Sequence, residues 1–408
     1  MLAGGAAAGQ LLLVVSSPVV TRLYTPADFG TYAVYGSLIG ILTATVALGY
    51  EYAVTLPEED SEAANVLALV GVVVVAMAGL VAVVIVVGGE AFINATNAAH
   101  LGGYIWIVPF GLLGAGSYRA VKYWAIRQRS YAPIAATKLY QGGAHAGTQI
   151  SLGLLGAGPL GLILGQVVGQ IAGVGRLTRV MATRWDMIRR AVTVSGIIAA
   201  ARRYRRFPLF TGPGAFLNAG GLYVPAILFS AMYGPAVAGW FMLGHRLVGL
   251  PVSLVSKSVA QVYLGESAHQ VRESPHLVRQ RFHRAAGRLA LLVALPAAGL
   301  LIFAPPLFAF VFGGAWREAG SYVQLLTAMF VGRFVVTSLT HTLTILERQD
   351  RQFLWDLGRL VLVVAAITIP AMLQASARVA VLSYSLAMLA AYGVLYLIMD
   401  VSLARHRR

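Results

Sequence analysis

The chain has 408 residues, 58% of them hydrophobic and only 11% charged, with a mean hydropathy of +0.75. A soluble domain carries about 25% charged residues, so an ordinary soluble enzyme is excluded and a polytopic membrane protein is indicated. The absence of cysteine excludes disulfides, thiolate metal sites and thiol catalysis, and the formal charge of +16 has to be assigned to loops before it is read as a nucleic-acid footprint.

A helix needs about 20 apolar residues to cross a ~30 Å hydrocarbon core. Runs bounded by charge, Pro and Gly predict twelve spans, at approximately 2–20, 31–56, 64–88, 101–125, 132–156, 158–177, 209–231, 236–263, 286–312, 319–346, 354–374 and 379–401. The first begins beside Met1, so no cytoplasmic tail is expected ahead of it, and it is too long and Gly-rich for a cleaved signal peptide. Lys and Arg set the orientation. With the N-terminus inside, the cytoplasmic side receives 23 of them and the outer side only Arg22, Arg317 and Arg378. That asymmetry predicts cytoplasmic termini and explains much of the net charge without nucleic acid.

The longest interruption, 176–206, carries nine arginines and an 11-residue apolar run, Ala191–Ala201. Eleven residues cannot span, so the run is expected to be an interfacial helix or linker, its basic ends against anionic headgroups. The expected organisation is a six-helix half over 1–178, a basic cytoplasmic linker over 179–207 and a second six-helix half over 208–408. The halves resemble each other. Tyr24-Thr25-Pro26-Ala27-Asp28-Phe29-Gly30-Thr31-Tyr32 precedes span 2, and Tyr233-Gly234-Pro235-Ala236-Val237-Ala238-Gly239-Trp240-Phe241 precedes span 8. Both read Y-x-P-A-x-x-G-x-aromatic, with Pro suited to a first helical position. Arg127-Gln128 before Lys138-Leu139 is echoed by Arg348-Gln349 before Arg359-Leu360. Parallel repeats of six predict an all-α transporter with a pseudo-two-fold axis along the membrane normal and a substrate site between the halves.

The stretches Thr21 to Gly30, Gly161-Leu162-Ile163-Leu164-Gly165-Gln166 and Tyr233 to Pro251, with twelve spans, resemble the Wzx-type polysaccharide-biosynthesis flippases of the multidrug/oligosaccharidyl-lipid/polysaccharide exporter superfamily. The resemblance implies translocation of undecaprenyl-pyrophosphate-linked oligosaccharide from the inner to the outer leaflet for cell-surface polysaccharide synthesis. It implies membrane lipids and, as candidates, other assembly proteins as partners, with no cofactor. One departure stands at Gly49-Tyr50-Glu51, where many relatives are expected to place Arg before Tyr-Glu. Two alternatives stay open: a drug/cation antiporter of the same superfamily, with the same twelve spans, which should carry carboxylates deep in the N-terminal half, and a membrane polymerase or ligase, which should carry a large outer loop.

Intramembrane charges are costly and need a reason. The candidates include five cations, Lys138, Arg246, Lys257, Arg333 and Arg359, against two carboxylates, Glu51 and Asp356. That excess suits an anion such as pyrophosphate. Lys138, Gln141, His145 and Gln149 fall within about 80° on span 5, and Arg333, Thr337, Thr340, His341 and Thr344 within about 100° on span 10. Each stripe reads as a cavity wall or as interhelical hydrogen bonding. Arg333 and Arg246 are the expected headgroup contacts, with Lys138 and Arg359 guiding entry and Gln141 and His145 beside them. Glu51 and Asp356 are candidates for ion coupling or for ion pairs. Gly161, Gly165, Gly169 and Gly173 on span 6 read as a packing face. No phosphate-binding Gly-x-x-x-x-Gly-Lys-Ser/Thr loop and no clustered metal ligands occur, and Asn94-Ala95-Thr96 is a weak sequon match.

Overall fold

The computed structural model describes residues 2–95, 99–273, 275–346 and 348–405; Met1, Thr96 of the sequon match and the terminal Arg407 and Arg408 lie outside them. The described residues are helical throughout, with short turns between helices and no strand. They form two compact units, Met1–Ala236 and Val237–Arg408.

The first unit holds α1 (Leu2–Leu23), α2 (Pro26–Thr45), α3 (Tyr50–Ala53), α4 (Asp60–Ala95), α5 (Val108–Arg127), α6 (Tyr131–Leu154), α7 (Pro159–Ile171), α8 (Val174–Ala182), α9 (Trp185–Ala191), α10 (Val194–Arg203) and α11 (Gly212–Tyr233). Here α1 lies on α6, α6 on α7, α2 against α5, α7 and α11, and α4 against α5 and α10. α12 (Pro235–Glu273) starts in this unit and runs into the second, which also holds α13 (Pro275–Phe312), α14 (Arg317–Thr337), α15 (His341–Ile345), α16 (Gln349–Met372) and α17 (Ala377–Arg405). There α13 and α17 pack on α14, and α16 on α17.

Each of the twelve expected spans coincides with a helix, and eight helices among the described residues are long and apolar enough to cross a membrane. The four spans below that measure have visible reasons. α1 offers the shorter apolar stretch Ala7–Leu23. α2 stops at Thr45, because Leu48 and Gly49 take positive φ (50° and 82°) before α3 restarts the helix. α5 begins only at Val108, after two 3-10 turns, and α6 carries its polar stripe. Val72, Val75, Val83 and Val87 on α4 and Leu291, Leu295, Phe303 and Phe310 on α13 are all more than half exposed. A band of that kind belongs against lipid rather than water, and the chain is a multi-pass membrane protein.

The repeated motif starts a helix in both copies. Pro26 opens α2 behind a Thr25–Asp28 capping box, and Pro235 opens α12. Tyr24 donates from its hydroxyl to the Gln149 carbonyl at 2.6 Å. Burial, then the Asp28 carboxylate, push its phenol up to about 12, so it remains a neutral donor.

Three expectations are corrected. The segment expected as a loop over 264–285 is helical over 264–273 and 275–285: α12 and α13 run for 39 and 38 residues, since charges end a span without ending a helix. Span 10 is interrupted, with α14 ending at Thr337 and α15 starting at His341, so the expected stripe is not on one helix. The apolar run Ala191–Ala201 is divided between α9 and α10. Thr193 is extended and caps α10 by accepting from Gly196 N, while Asn65 on α4 donates to Ala191 O and accepts from Thr193 N. The break is thus fastened to the start of α4.

The basic-residue asymmetry makes a direct prediction about the membrane. A reporter fused after Arg206 or at the C-terminus is expected to read cytoplasm, and one beside Asn94 the outside. A cytoplasmic signal at Asn94 would overturn the span order.

Candidate functional site

On α6, the stripe of Gln141, His145 and Gln149 faces the glycines of α7. A Cβ at Gly165 would strike Gln149, one at Gly169 would strike His145, and one at Gly173 would strike Thr137. The two helices therefore approach with side chains on one side only. Gln149 Nε2 donates to Leu162 O at 3.2 Å and Gln141 Nε2 to Gln170 O at 3.4 Å. In this structure the polar face of α6 is filled by α7. Its one charge, Lys138, is half-buried: Nζ donates to Gln141 Oε1 at 2.9 Å and lies 4.8 Å from the Tyr118 ring centroid. Tyr118 is in turn hydrogen-bonded to Thr137 at 3.0 Å. Lys138 thus has an amide and an aromatic face as neighbours and, among the described residues, no carboxylate.

Glu51, on the single turn of α3, is buried, with 1% of its side chain exposed, and pairs with Arg119 of α5 at 2.6 Å. Arg119 Nη1 also donates to Thr43 O at the end of α2, at 2.5 Å. The guanidinium thereby ties the broken end of span 2 to α5. Arg119 is one of the basic residues counted to the cytoplasmic side, and its partner lies 68 residues away. The cation that the resemblance expects just before Tyr50-Glu51 is not there, and one arrives from another helix.

The second unit gathers the remaining candidates. Asp356 and Arg359 are both buried on α16 and pair at 2.9 Å, one turn apart. The Arg359 guanidinium stacks over Trp355 at 4.7 Å, and Trp355 Nε1 donates to Ala391 O at 2.7 Å, holding α16 on α17. Arg333, half-buried on α14, is within electrostatic reach of His245 on α12 and of Tyr384 and Tyr392 on α17; Arg359 acts on the same two tyrosines. The His245 ring stacks on Phe241 (5.5 Å, 28°) and meets Phe330 at 5.5 Å, while Phe241 meets Tyr384 edge-on at 5.5 Å. A side chain at Gly249 would stand 3.6 Å from Arg333 Nη1. Arg246, next to His245, is also half-buried. Neither Arg333 nor Arg246 pairs with a carboxylate among the described residues.

The hydroxyls expected beside Arg333 turn back on their own backbone. Thr337 donates to Arg333 O and Thr340 to Thr337 O, and Ser338, which is not in the expected stripe, donates to Phe334 O, each at 2.7 Å. Such back-bonding bends helices, and it lies where α14 stops. His245, Tyr384 and Tyr392 are not singled out by the sequence reading. Their signal is positional: Phe241, His245 and Gly249 repeat at four-residue spacing on α12, and Tyr384, Met388 and Tyr392 line the buried stripe of α17. No grouping of three or more His, Asp or Glu able to hold a metal occurs among the described residues.

This fold has known counterparts. An inward-facing multidrug resistance MATE family transporter of the MOP superfamily superposes with a TM-score of 0.72 at 12% identity, covering 98% of this chain and 95% of that one. The lipid II flippase MurJ in an inward closed conformation gives 0.74 at 11% identity, covering 98% and 89%. A MOP superfamily transporter from Pyrococcus furiosus, described as having a binding pocket of reversed polarity, gives 0.59 at 13%, covering 100% and 95%. No curated protein sequence matches the chain. The family described as polysaccharide biosynthesis protein matches residues 19–321, most of the length. The chain, folded as MOP-superfamily transporters and flippases are, belongs to that polysaccharide biosynthesis family.

Proposed function

We propose that the protein is a flippase that carries a polyprenyl-pyrophosphate-linked oligosaccharide from the inner to the outer leaflet of a bacterial cytoplasmic membrane, with both termini inside. The observation that carries this reading is Arg333, a half-buried guanidinium on an apolar helix among aromatic side chains, with no carboxylate partner among the described residues. A cation held there without a protein partner is costly, and an anionic headgroup supplies the missing charge. Arg333 and Arg246 bind the pyrophosphate, and Lys138, hydrogen-bonded to Gln141, guides entry from the inner side together with Arg359, which is paired with Asp356. Pyrophosphate cannot cross bare hydrocarbon, so the cycle exposes these cations to one membrane face and then the other while the prenyl tail stays in lipid. An interior-negative potential favours outward movement of the anion by about 2.3 kcal/mol per charge per 100 mV.

A cation-antiporter reading has less support. The two intramembrane carboxylates it would use, Glu51 and Asp356, both face arginines. The deciding experiment is reconstitution into vesicles with a fluorescent lipid-linked oligosaccharide, scored by leaflet accessibility. Protein-dependent transfer that slows when the potential is collapsed is expected. Export of a cationic dye without lipid transfer would overturn the proposal.

A further inference from the structure

A separate feature lies on the first unit, where α6 meets the junction of α7 and α8. An open groove of about 800 Å³ runs there between Leu139, Tyr140 and Gly143 on one wall and Gly175, Arg176 and Arg179 on the other. Its floor is kept open by missing side chains, since a Cβ on Gly143 or Gly175 would meet nothing within 4 Å. α8 is amphipathic. Its buried Leu177 clusters with Tyr118, Val121, Ala125 and Ile134, which turns Arg176 and Arg179 outward. The two arginines stand at i and i+3 on one face, where like charges repel, and neither has a carboxylate partner among the described residues. Arg176 Nη1 donates to the Tyr140 hydroxyl at 3.2 Å and its guanidinium lies 5.5 Å from that ring, which holds one arginine in place at the mouth.

The placement of charge points to the occupant. The apolar stretch Pro159–Ala182 is one of the candidate spans. α7 rises about 18 Å from Pro159 to Ile171, and the chain leaves the helix at Ala172 and Gly173 (φ 92°) before α8 carries Arg176 and Arg179 at the charged end of this span. The groove therefore sets two cations, Arg176 and Arg179, beside an apolar wall at Leu139, the pattern that matches an anionic headgroup with an acyl chain.

We propose that this groove is a binding site for an anionic phospholipid of the inner leaflet, with its phosphodiester on Arg176, Arg179 and the Tyr140 hydroxyl and one acyl chain laid over Gly143 against Leu139. The site is independent of Arg333 and of the transported lipid.

Native mass spectrometry of the purified full-length protein, titrated with phosphatidylglycerol or phosphatidylcholine, tests it. One phosphatidylglycerol is expected to bind ahead of the rest, with phosphatidylcholine failing to displace it. Arg176→Gln with Arg179→Gln, both exposed positions, is expected to weaken that event by roughly tenfold to thirtyfold. Gly143→Leu fills the floor while leaving both charges in place and is expected to remove the same event; Gly175→Ala, a smaller filling, is expected to weaken it in part. Undiminished phosphatidylglycerol binding by the double arginine variant overturns the proposal, as does equal binding of the two lipids. Competition by inorganic phosphate at the same concentration would make it a headgroup site without a chain, and preferential displacement by farnesyl pyrophosphate would assign it to a polyprenyl carrier; either outcome overturns the phospholipid assignment.

Discussion

Arg333→Ala is expected to abolish lipid-linked oligosaccharide transfer while leaving the protein at normal abundance in the membrane. The guanidinium has no carboxylate partner among the described residues, so its removal unpairs no charge there. Truncating one side of a buried charge contact to a ligand costs about 2–5 kcal/mol, roughly thirtyfold to several-thousandfold in binding. Arg333→Lys keeps the charge but gives up the planar fork that matches phosphate oxygens, so it should restore only part of the activity. Arg246→Ala should add to the defect. Leaflet accessibility in vesicles, normalised to reconstituted protein, measures all three. Normal transfer by a well-expressed Arg246→Ala, Arg333→Ala double variant would remove the cations from the headgroup site. Loss of abundance in step with activity would make Arg333 a packing residue.

Why a cation such as Arg333 stands out in the sequence while its surroundings do not is a matter of range. A cation deep in an apolar run is visible because its cost is local and large. The helices are visible for the same reason, and so are the two Pro-opened starts at Pro26 and Pro235. What a stripe faces is not local. The periodicity of Lys138, Gln141, His145 and Gln149 identifies one side of α6, but it does not say that the glycines of α7 fill that side. The two halves of this contact, a polar stripe and a four-residue glycine ladder on consecutive helices, are both in the sequence, and only packing joins them. The breaks in spans 2 and 10 are equally hidden. Leu48 takes a positive φ that its own side chain disfavours, and α14 ends at Thr337 without Pro or Gly. Arg119 is the clearest case: its depth reads as topology, while its function in the fold depends on where α3 and the end of α2 lie.

The Arg119 contact carries the largest expected effect on stability. Glu51 is almost wholly buried and one of its carboxylate oxygens, Oε2, has no hydrogen-bond partner, so Arg119 is its principal compensation. Breaking a buried pair by removing one member costs about 3–5 kcal/mol, because the survivor keeps its desolvation without its partner. Arg119→Ala should therefore lower thermal stability in detergent sharply and reduce membrane abundance, and Glu51→Ala somewhat less, since Arg119 is the more exposed member and keeps its bond to Thr43 O. The double variant Glu51→Gln, Arg119→Gln replaces both charges with neutral amides and should recover much of the loss. Fluorescence-detected size exclusion after a heating series measures this directly. If the pair is only a clamp, the pH dependence of transport per folded molecule is the same in the double variant as in the wild type. A pH dependence that disappears in Glu51→Gln while the protein stays stable would instead make Glu51 the coupling carboxylate. Equal stability of Arg119→Ala and the wild type would show that the contact holds nothing together.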